Sequence, residues 1–191
     1  MAIGTQKKGA LPSQMIESLV DGGFIQGADK KNIQPSSLDL TLSEEVYRVE
    51  RLFLPREGET VRALLSAIGS DPHALKSPME RGVTYLARLN ETLALPSGVY
   101  ALSNPKSTTG RNDIHARVLS DGSSRYDEMT PGGWQGELWV AISPKSYPIK
   151  VAVGHSLVQL RLFNGDTRLD NFELRPSNIR PENIEISCPG W

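Results

Sequence analysis

A series of short runs rich in β-branched and aromatic residues, each bounded by Pro, Gly, Asn, Asp or Ser, limits the fold of this chain most strongly. Many of the runs alternate apolar and polar residues, which is typical of strands that bury one face. The runs are SLDLTL, EVYRVERLFL, VTYLARL, GVYALS, IHARVL, ELWVAIS, PIKVAV and SLVQLRLF. This density of short strands predicts a sandwich, jelly roll or barrel rather than a doubly wound parallel sheet.

Two segments have helical spacing instead. The first is expected to be capped by Ser13 and to end at Gly22 and Gly23, and the second runs from a Thr60 cap to Gly69. The apolar residues that share a helix face are Met15, Ile16, Leu19 and Val20 in the first and Ala63, Leu64, Leu65 and Ile68 in the second. The predicted protein is therefore mainly β, with one N-terminal helix and a second short helix.

A length of 191 residues suits one domain with a sizeable core. The strand pattern fades after Phe163, where the sequence becomes polar and is interrupted by proline. Residues 1–163 are therefore predicted to form the domain, and residues 164–191 an extended tail or arm that needs a partner.

The net charge and composition of the chain limit the kinds of partner that it can bind. A net charge of −1 and a pI near 6.3 give no basic field for a nucleic-acid polymer, whereas small anionic ligands fit. The N-terminus lacks the apolar run of a signal peptide, and no segment approaches the roughly 20 apolar residues of a membrane span. Cys188 is the single cysteine, so no intramolecular disulfide is possible and a reducing compartment is expected. A cytoplasmic protein that binds neither nucleic acid polymer nor membrane is the prediction.

The segment SNPKSTTGRND, residues 103–113, is more cationic and hydroxylic than a strand connection requires. Its donor side chains are Lys106, Ser107, Thr108, Thr109 and Arg111. With the backbone amides near Gly110 they would suit the oxygens of a phosphate group. A solvated loop is the alternative interpretation of this segment alone.

Several common nucleotide chemistries are excluded. The segment lacks the G-x-x-x-x-G-K-[S/T] of a P-loop, and the chain has no dinucleotide-binding fingerprint. One cysteine cannot build the P-C-x-x-C of a zinc deaminase, and the histidines (His73, His115 and His155) lack the short spacing of a metal site. Any catalysis is therefore expected to be metal-free at the reacting centre, without zinc, and to use Ser, Arg, Asp or Glu.

Three segments have motif spacing. NIQPSSLDLTLS, residues 32–43, follows I-Q-P-[S/A]-S-x-D-L-x-L, and PKSTTGR, residues 105–111, is close to [R/K]-S-S-x-x-R. GGWQGELWVAISPKSYPIKVAVGHSLVQLRLF, residues 132–163, is similar to G-[W/Y]-x-G-x-L-x-x-E followed by P-G-x-x-x-x-Q-L. In this order they resemble the dCTP deaminase branch of the dUTPase-like superfamily. The resemblance covers residues 11–163 and is strongest to the N-terminal half of the long, duplicated form.

The resemblance implies a distorted β-barrel or jelly-roll subunit of the dUTPase-like type. It implies a homotrimer with active sites between subunits, and hydrolytic deamination of dCTP to dUTP and ammonia. It also implies Mg²⁺ bound through the nucleotide triphosphate rather than by protein ligands. The expected partner is accordingly a deoxynucleotide of the dCTP or dUTP type.

The resemblance also assigns roles to residues. Lys106, Thr108 and Gln159 would contact the triphosphate, and Asp39 would help to place the magnesium triphosphate. Ser107 would lie beside the pyrimidine amino group, and Arg111 would approach the catalytic water from an adjacent subunit. Arg125 and Asp127 resemble the R-I-D motif, whose aspartate holds the deoxyribose 3′-hydroxyl.

Some of these residues also have purely structural interpretations. Asp39 has the type and place of a turn cap. Arg111 fits a surface ion pair, and Gln159 fits a buried amide bonded to a backbone carbonyl.

One position departs from the motif. Metal-free deamination at cytosine C4 needs a group that takes a proton from water and protonates N3 and the leaving ammonia, and in this family a glutamate does so. Counting G-[W/Y]-x-G-x-L-x-x-E from Gly133 places Ala141 at its ninth position. Glu137 lies on the same strand roughly 13 Å away, too far to replace it. Loss of such a group costs about a hundredfold to ten-thousandfold in rate, so the chain is expected to be impaired or inactive but still to bind nucleotide.

Three explanations of Ala141 stay open: a Glu→Ala variant made to trap substrate, a half-site whose catalytic copy lies in a second repeat, or a non-catalytic nucleotide binder. The single change in an otherwise intact motif favours the first. Two alternatives to a deaminase also remain, a dUTP pyrophosphatase-like hydrolase and a deoxynucleotide-binding or sensing module. A β-sandwich interaction domain without a nucleotide site is the least favoured.

Overall fold

The computed structural model describes residues 8–165 and residue 167. Antiparallel strands dominate it, which confirms the mainly β prediction. The strands are β1 Gly9–Ala10, β2 Ile25–Gln26, β3 Ile33–Gln34, β4 Ser37–Leu40, β5 Leu42–Val49, β6 Asp71–Pro72, β7 Thr84–Ala94, β8 Val99–Pro105, β9 Ile114–Ser120, β10 Glu128–Met129, β11 Gln135–Pro144 and β12 Val158–Asn164. The helices are α1 Ser13–Asp21, α2 Val61–Ile68 and α3 Ser107–Arg111, with a 3₁₀ turn at Lys30–Asn32.

The strands form two six-stranded sheets. The first, sheet A, has the order β10-β8-β12-β4-β3, with β1 paired to β12. The second, sheet B, has the order β6-β5-β7-β11-β9, with β2 paired to β7. Within the described residues the two sheets do not join into a closed barrel, so the open two-sheet form of the prediction, a sandwich or jelly roll, is the one observed.

The main core lies between the sheets. Alternate residues of β11 enter it, and Leu138, Val140 and Ile142 of that strand are fully buried there. The intervening Trp139 and Ala141 belong to a second apolar cluster, on the outer face of sheet B. Helix α2 and the segment before it cover this second cluster, so sheet B is buried on both faces along β11.

The two predicted helices are present, and one predicted cap is wrong. Thr60 caps α2 as expected, because its Oγ1 accepts a hydrogen bond from Ala63 N at 3.2 Å, and Gly69 ends the helix at φ 65°. At α1 the cap position is Pro12 rather than Ser13, since Pro12 O accepts from the backbone N–H of Met15 and Ile16. Ser13 is inside the first turn, where its own N–H donates to Pro35 O at 2.9 Å.

Three further differences concern the strands and the polar segment. The run PIKVAV, residues 148–153, is not a strand. Its β pairing among the described residues is limited to one isolated bridge between Ile149 and Met79, and Val153 is exposed. The predicted strand EVYRVERLFL, residues 45–54, is shorter than expected, because β5 ends at Val49. The polar segment contains a third helix, α3, which follows directly after β8.

The predicted tail is largely beyond what the structure describes. β12 extends one residue past Phe163, to Asn164, and Gly165 and Thr167 are the other described residues of the predicted tail. The rest of residues 164–191, including Cys188, lies outside the described residues. In the described chain, no helix has the length and apolar character needed to span a membrane.

Candidate functional site

Two hydrogen bonds to Leu157 O fix the beginning of helix α3 in the polar segment, and three side chains of the segment remain without a partner among the described residues. Backbone N–H of Lys106 donates to Leu157 O at 3.0 Å, and the buried Thr109 Oγ1 donates to the same carbonyl at 2.7 Å. These bonds fix α3 against the loop before β12. Ser107, Thr108 and Arg111 are exposed, and their side chains have no hydrogen-bond or ion-pair partner among the described residues. Their donors are therefore available to a ligand or another subunit.

Sheet A brings the other predicted phosphate-binding residues beside this segment. Gln159 of β12 lies opposite Asp39 of β4 on one side and Asn104 of β8 on the other. Because paired residues share a face, these side chains form a row on the outer face of sheet A. The Lys106 ammonium forms an ion pair with the Asp39 carboxylate, whose side chain is 11% exposed. Asp39 is thus placed by Lys106 and is not a simple turn cap.

Asp127 is held where the edges of the two sheets meet. Its backbone has φ 63°, a left-handed conformation that Asp tolerates better than most residues. Its Oδ1 accepts from Ser103 Oγ and Val118 N, both at 2.8 Å, and its Oδ2 accepts from Arg117 at 2.7 Å. The carboxylate is therefore fixed in direction before any ligand binds.

Arg125, the other residue of the predicted R-I-D motif, has a different setting. Its side chain is 71% exposed and lies 3.5 Å from the Glu128 carboxylate. An exposed pair of this kind adds little to stability, so the guanidinium is free to reorient toward a ligand.

Ala141 lies at the base of a cleft of about 490 Å³ on the outer face of sheet B. Its cross-strand neighbour on β9 is Arg117, and the next pair on that face joins Ser143 to His115. Lys145 also lines the cleft. The basic side chains of this cleft were missed in the sequence, where the alternation of IHARVL indicated an outward face for His115 and Arg117 without showing what they face.

Glu137 is engaged elsewhere, as its spacing from Ala141 suggested. Its carboxylate bonds the Arg62 guanidinium of α2 at 3.1 Å and lies 3.2 Å from Arg88 Nε. Hydrogen bonding to Glu45, together with the charges of both glutamates, raises the pKa of Arg62 above its ordinary value. This ion-pair group fixes α2 over Trp139, whose ring centre is 5.3 Å from the guanidinium carbon.

The predicted phosphate-binding residues and Ala141 lie on different faces of the described chain, and Asp127 lies between them, bonded to Ser103 of the polar segment and to Arg117 of the Ala141 cleft. Lys106, Asp39 and Gln159 belong to the outer side of sheet A, and Ala141 to the outer side of sheet B. Since the sheets pack through their inner faces, these two outer faces point in opposite directions. Among the described residues, no hydrogen bond or ion pair connects Ser107 or Arg111 to the lining of the Ala141 cleft.

The structure offers few carboxylates for a metal ion. Among the described residues, no group of three or more His, Cys, Asp and Glu side chains is placed to hold one. Among Lys106, Asp39 and Gln159, the acidic side chain is Asp39, and its carboxylate is already paired with Lys106. This donor set does not make a protein-only metal site, but it is compatible with a cation that is bound mainly by phosphate oxygens.

Comparisons with known proteins agree with this architecture. The crystal structure of 2′-deoxycytidine 5′-triphosphate deaminase from Agrobacterium tumefaciens matches with a TM-score of 0.81 and 36% sequence identity, over 88% of this chain and 51% of that chain. The chain therefore spans about half the length of that protein. The EIAV dUTPase gives a TM-score of 0.37 and 13% identity, over 69% of this chain and 92% of that chain, a likeness too weak to carry an argument. No curated protein sequence matches this chain.

The sheet arrangement and the match to the Agrobacterium structure define a mainly β protein of the dUTPase-like fold. The family model of the 2′-deoxycytidine 5′-triphosphate deaminase N-terminal domain matches residues 7–166, which is most of the chain. The chain belongs to the dCTP deaminase family.

Proposed function

We propose that this chain forms the nucleotide site of a dCTP deaminase, the enzyme class that converts dCTP and water to dUTP and ammonia. The observation that carries the proposal is the polar segment, where hydroxyl and guanidinium donors that have no partner among the described residues adjoin Lys106, which Asp39 fixes. Such a donor set complements a triphosphate, because charge-assisted hydrogen bonds to phosphate are among the strongest in proteins. Lys106, Thr108 and Gln159 bind the phosphates in this proposal.

Asp127 has the properties needed to orient the sugar. A carboxylate that is already fixed by Ser103, Val118 N and Arg117 has a remaining lone pair, which accepts from the deoxyribose 3′-hydroxyl without further ordering of the side chain. Arg125 lies two residues away and contributes a mobile positive charge at the edge of the same site.

The chemistry then depends on groups around the pyrimidine. Ser107 donates or accepts beside the 4-amino group, and Arg111 orients the attacking water. One proton of the water must reach N3, where it stays in the product, and the second must reach the leaving ammonia. The methyl group of Ala141 can carry neither proton. Tight nucleotide binding with little or no turnover is the expected behaviour of the chain as written.

Magnesium fits this site only through the nucleotide. It would neutralise triphosphate charge, with Asp39 near the phosphates as the one carboxylate of the group. Lys106 and Asp39 position the phosphates whether or not Mg²⁺ is bound.

A homotrimer would complete the site. Ser107 and Arg111 are exposed, and the Ala141 cleft belongs to the other sheet's outer face, so a second subunit offers a way to bring them together. The symmetric contact would form several identical sites, each built from two chains.

A test of this function compares the chain as given with Ala141→Glu, by measuring ammonia and dUTP from dCTP and Mg²⁺. Activity is expected to rise by about a hundredfold or more in the glutamate variant, because a proton carrier is restored. Release of diphosphate instead of ammonia would identify a dUTP pyrophosphatase-like hydrolase. If both proteins bind dCTP in a titration and neither deaminates it, the deaminase assignment is wrong.

The alanine at position 141, where the motif has glutamate, also favours a second candidate, a non-catalytic deoxynucleotide-binding or sensing module. Such a module needs the phosphate and sugar contacts but no proton carrier. It predicts that Ala141→Glu stays inert while deoxynucleotide affinity is retained. The same pair of proteins therefore separates a disabled enzyme from a sensor.

A further inference from the structure

The cleft at Ala141 has an unusual charge balance. The ionisable cationic or basic side chains that line it are His115, Arg117 and Lys145, and no carboxylate lines it in the described part of the chain. Its remaining polar lining consists of hydroxyl groups, including the Thr84 and Ser143 hydroxyls that bond each other at 2.7 Å. A concave surface lined by donors and lacking acidic groups favours a negatively charged ligand.

Strand register places these donors around Ala141. Arg117 is directly opposite Ala141 across the β9–β11 ladder, and His115 is opposite Ser143. Directly paired residues have Cβ atoms about 5 Å apart, so the stem of Arg117 starts beside the Ala141 methyl group. One guanidinium nitrogen of Arg117 donates to Asp127, and the side chain is still 63% exposed. Its other N–H groups are available to a ligand in the cleft.

The missing side chain defines the size of that ligand. A glutamate differs from alanine by one further methylene and a carboxylate, which is the heavy-atom framework of acetate. A cleft of about 490 Å³ has room for an ion of this size. An acetate placed over the Ala141 methyl would meet the Arg117 side chain from the neighbouring strand, and charge-assisted hydrogen bonds would hold it.

We propose that the Ala141 cleft is a binding site for a small monocarboxylate anion such as acetate or formate. The site supplies Arg117 as the main partner, with Lys145 and His115 as further donors. The inference rests on the proposed function in taking Ala141 as the position of the family's glutamate. Binding of the anion itself requires no nucleotide and no turnover.

Titration of the chain with ¹³C-labelled acetate, followed by NMR, tests the proposal. Saturable binding in the millimolar range is expected, and the neutral isostere acetamide is expected to bind at least about tenfold more weakly. Ala141→Glu should abolish acetate binding, since a tethered carboxylate then occupies the cleft. Arg117→Gln should weaken acetate binding about tenfold. Lys145→Gln should also weaken acetate binding, and this second variant leaves the Arg117–Asp127 ion pair intact. Lys150→Gln, an exposed lysine that does not line the cleft, is the matched control and should bind as the parent does.

Absence of saturable binding, or binding that Ala141→Glu and the two cation variants leave unchanged, would overturn the proposal. A parallel dCTP titration separates this result from the proposed function. A protein that binds dCTP but not acetate contradicts the anion site alone, whereas one that binds acetate but not dCTP contradicts the nucleotide site alone.

Discussion

Glu91 is a buried carboxyl group that the proposed chemistry does not use. It is fully buried in β7, and its carboxylate accepts from Thr41 N at 2.9 Å and Thr41 Oγ1 at 2.7 Å. Thr41 is the single residue between β4 in sheet A and β5 in sheet B. Glu91 therefore holds the corner where the chain passes between the sheets, two residues after Asp39.

Burial raises the pKa of the Glu91 carboxyl, although the hydrogen bonds from Thr41 act in the opposite direction. A carboxyl group with a higher pKa in the folded than in the unfolded state binds protons more tightly when folded. Its stabilising effect is complete below the unfolded pKa and is lost as the pH rises through the folded pKa. Glu91 should therefore make the folded state less stable at neutral than at mildly acidic pH.

Glu91→Gln removes this titration while keeping a side chain that can bond Thr41, since the threonine hydroxyl also accepts. The free energy of unfolding of the variant should fall less than that of the parent as the pH rises from about 4 to 7. Urea unfolding at several pH values measures this difference. Glu44→Gln, at an exposed position of β5, is the control and should follow the parent. Parallel pH curves for parent and Glu91→Gln would contradict the prediction.

Helix α3 contains two adjacent threonines with different tasks. Thr109 is buried, and its hydroxyl anchors the helix to Leu157 O. Thr108 is exposed, and its hydroxyl has no partner among the described residues. One threonine stabilises the element, and the other is available to the phosphates.

Substituting each threonine by valine should separate the two tasks. Thr109→Val should lower the free energy of unfolding by about 0.5–1.5 kcal/mol, because the hydrogen bond to Leu157 O is lost while the Lys106 N–H still donates to that carbonyl. Thr108→Val should leave stability within about 0.5 kcal/mol and weaken dCTP binding about two- to tenfold. Thermal unfolding and dCTP titration of both variants measure these effects. Equal loss of dCTP affinity with no stability change in either variant would show that Thr109 does not anchor the helix.

At the scale of the whole molecule, the two outer faces of the sandwich carry different parts of the proposed site. The residues proposed to bind the phosphates lie on the outer side of sheet A, and the Ala141 cleft lies on the outer face of sheet B. A rigid sandwich cannot fold one face onto the other. In the function that we propose, a second chain therefore supplies the missing half of the site.

Mixing two inactive chains tests the shared site. One is the chain as given, with Arg111 intact, and the other combines Arg111→Ala with Ala141→Glu. If the arginine and the glutamate act across a subunit boundary, an equal mixture of exchanging subunits should reach about a quarter of the Ala141→Glu activity, because half of the chains supply each group at random. Ammonia release from dCTP measures this recovery, with each chain assayed alone as the control. A silent mixture, alongside an active Ala141→Glu protein, would place both groups within one subunit.

Sequence patterns anticipated what depends on neighbours along the chain. Alternation in IHARVL predicted β9, the β-branched and aromatic run ELWVAIS predicted β11, and Thr60 and Gly69 predicted both ends of α2. Motif spacing likewise led to the family, which the domain match over residues 7–166 confirms. These features are local, because strand period, helix caps and motif spacing are set by a few adjacent residues.

The tertiary structure decided what depends on contacts between distant segments. The run at residues 148–153 has the composition of a strand but lacks a neighbour to complete its ladder, and Ser13 lost the cap position to Pro12 when its N–H bonded Pro35 O. Pairing of β9 with β11 placed Arg117 beside Ala141, and sheet packing directed Lys106 and Ala141 to opposite faces. Sequence alone determined the main strands, the two longer helices and the family, whereas pairing and packing, which join residues far apart in the chain, decided which side chains share a site.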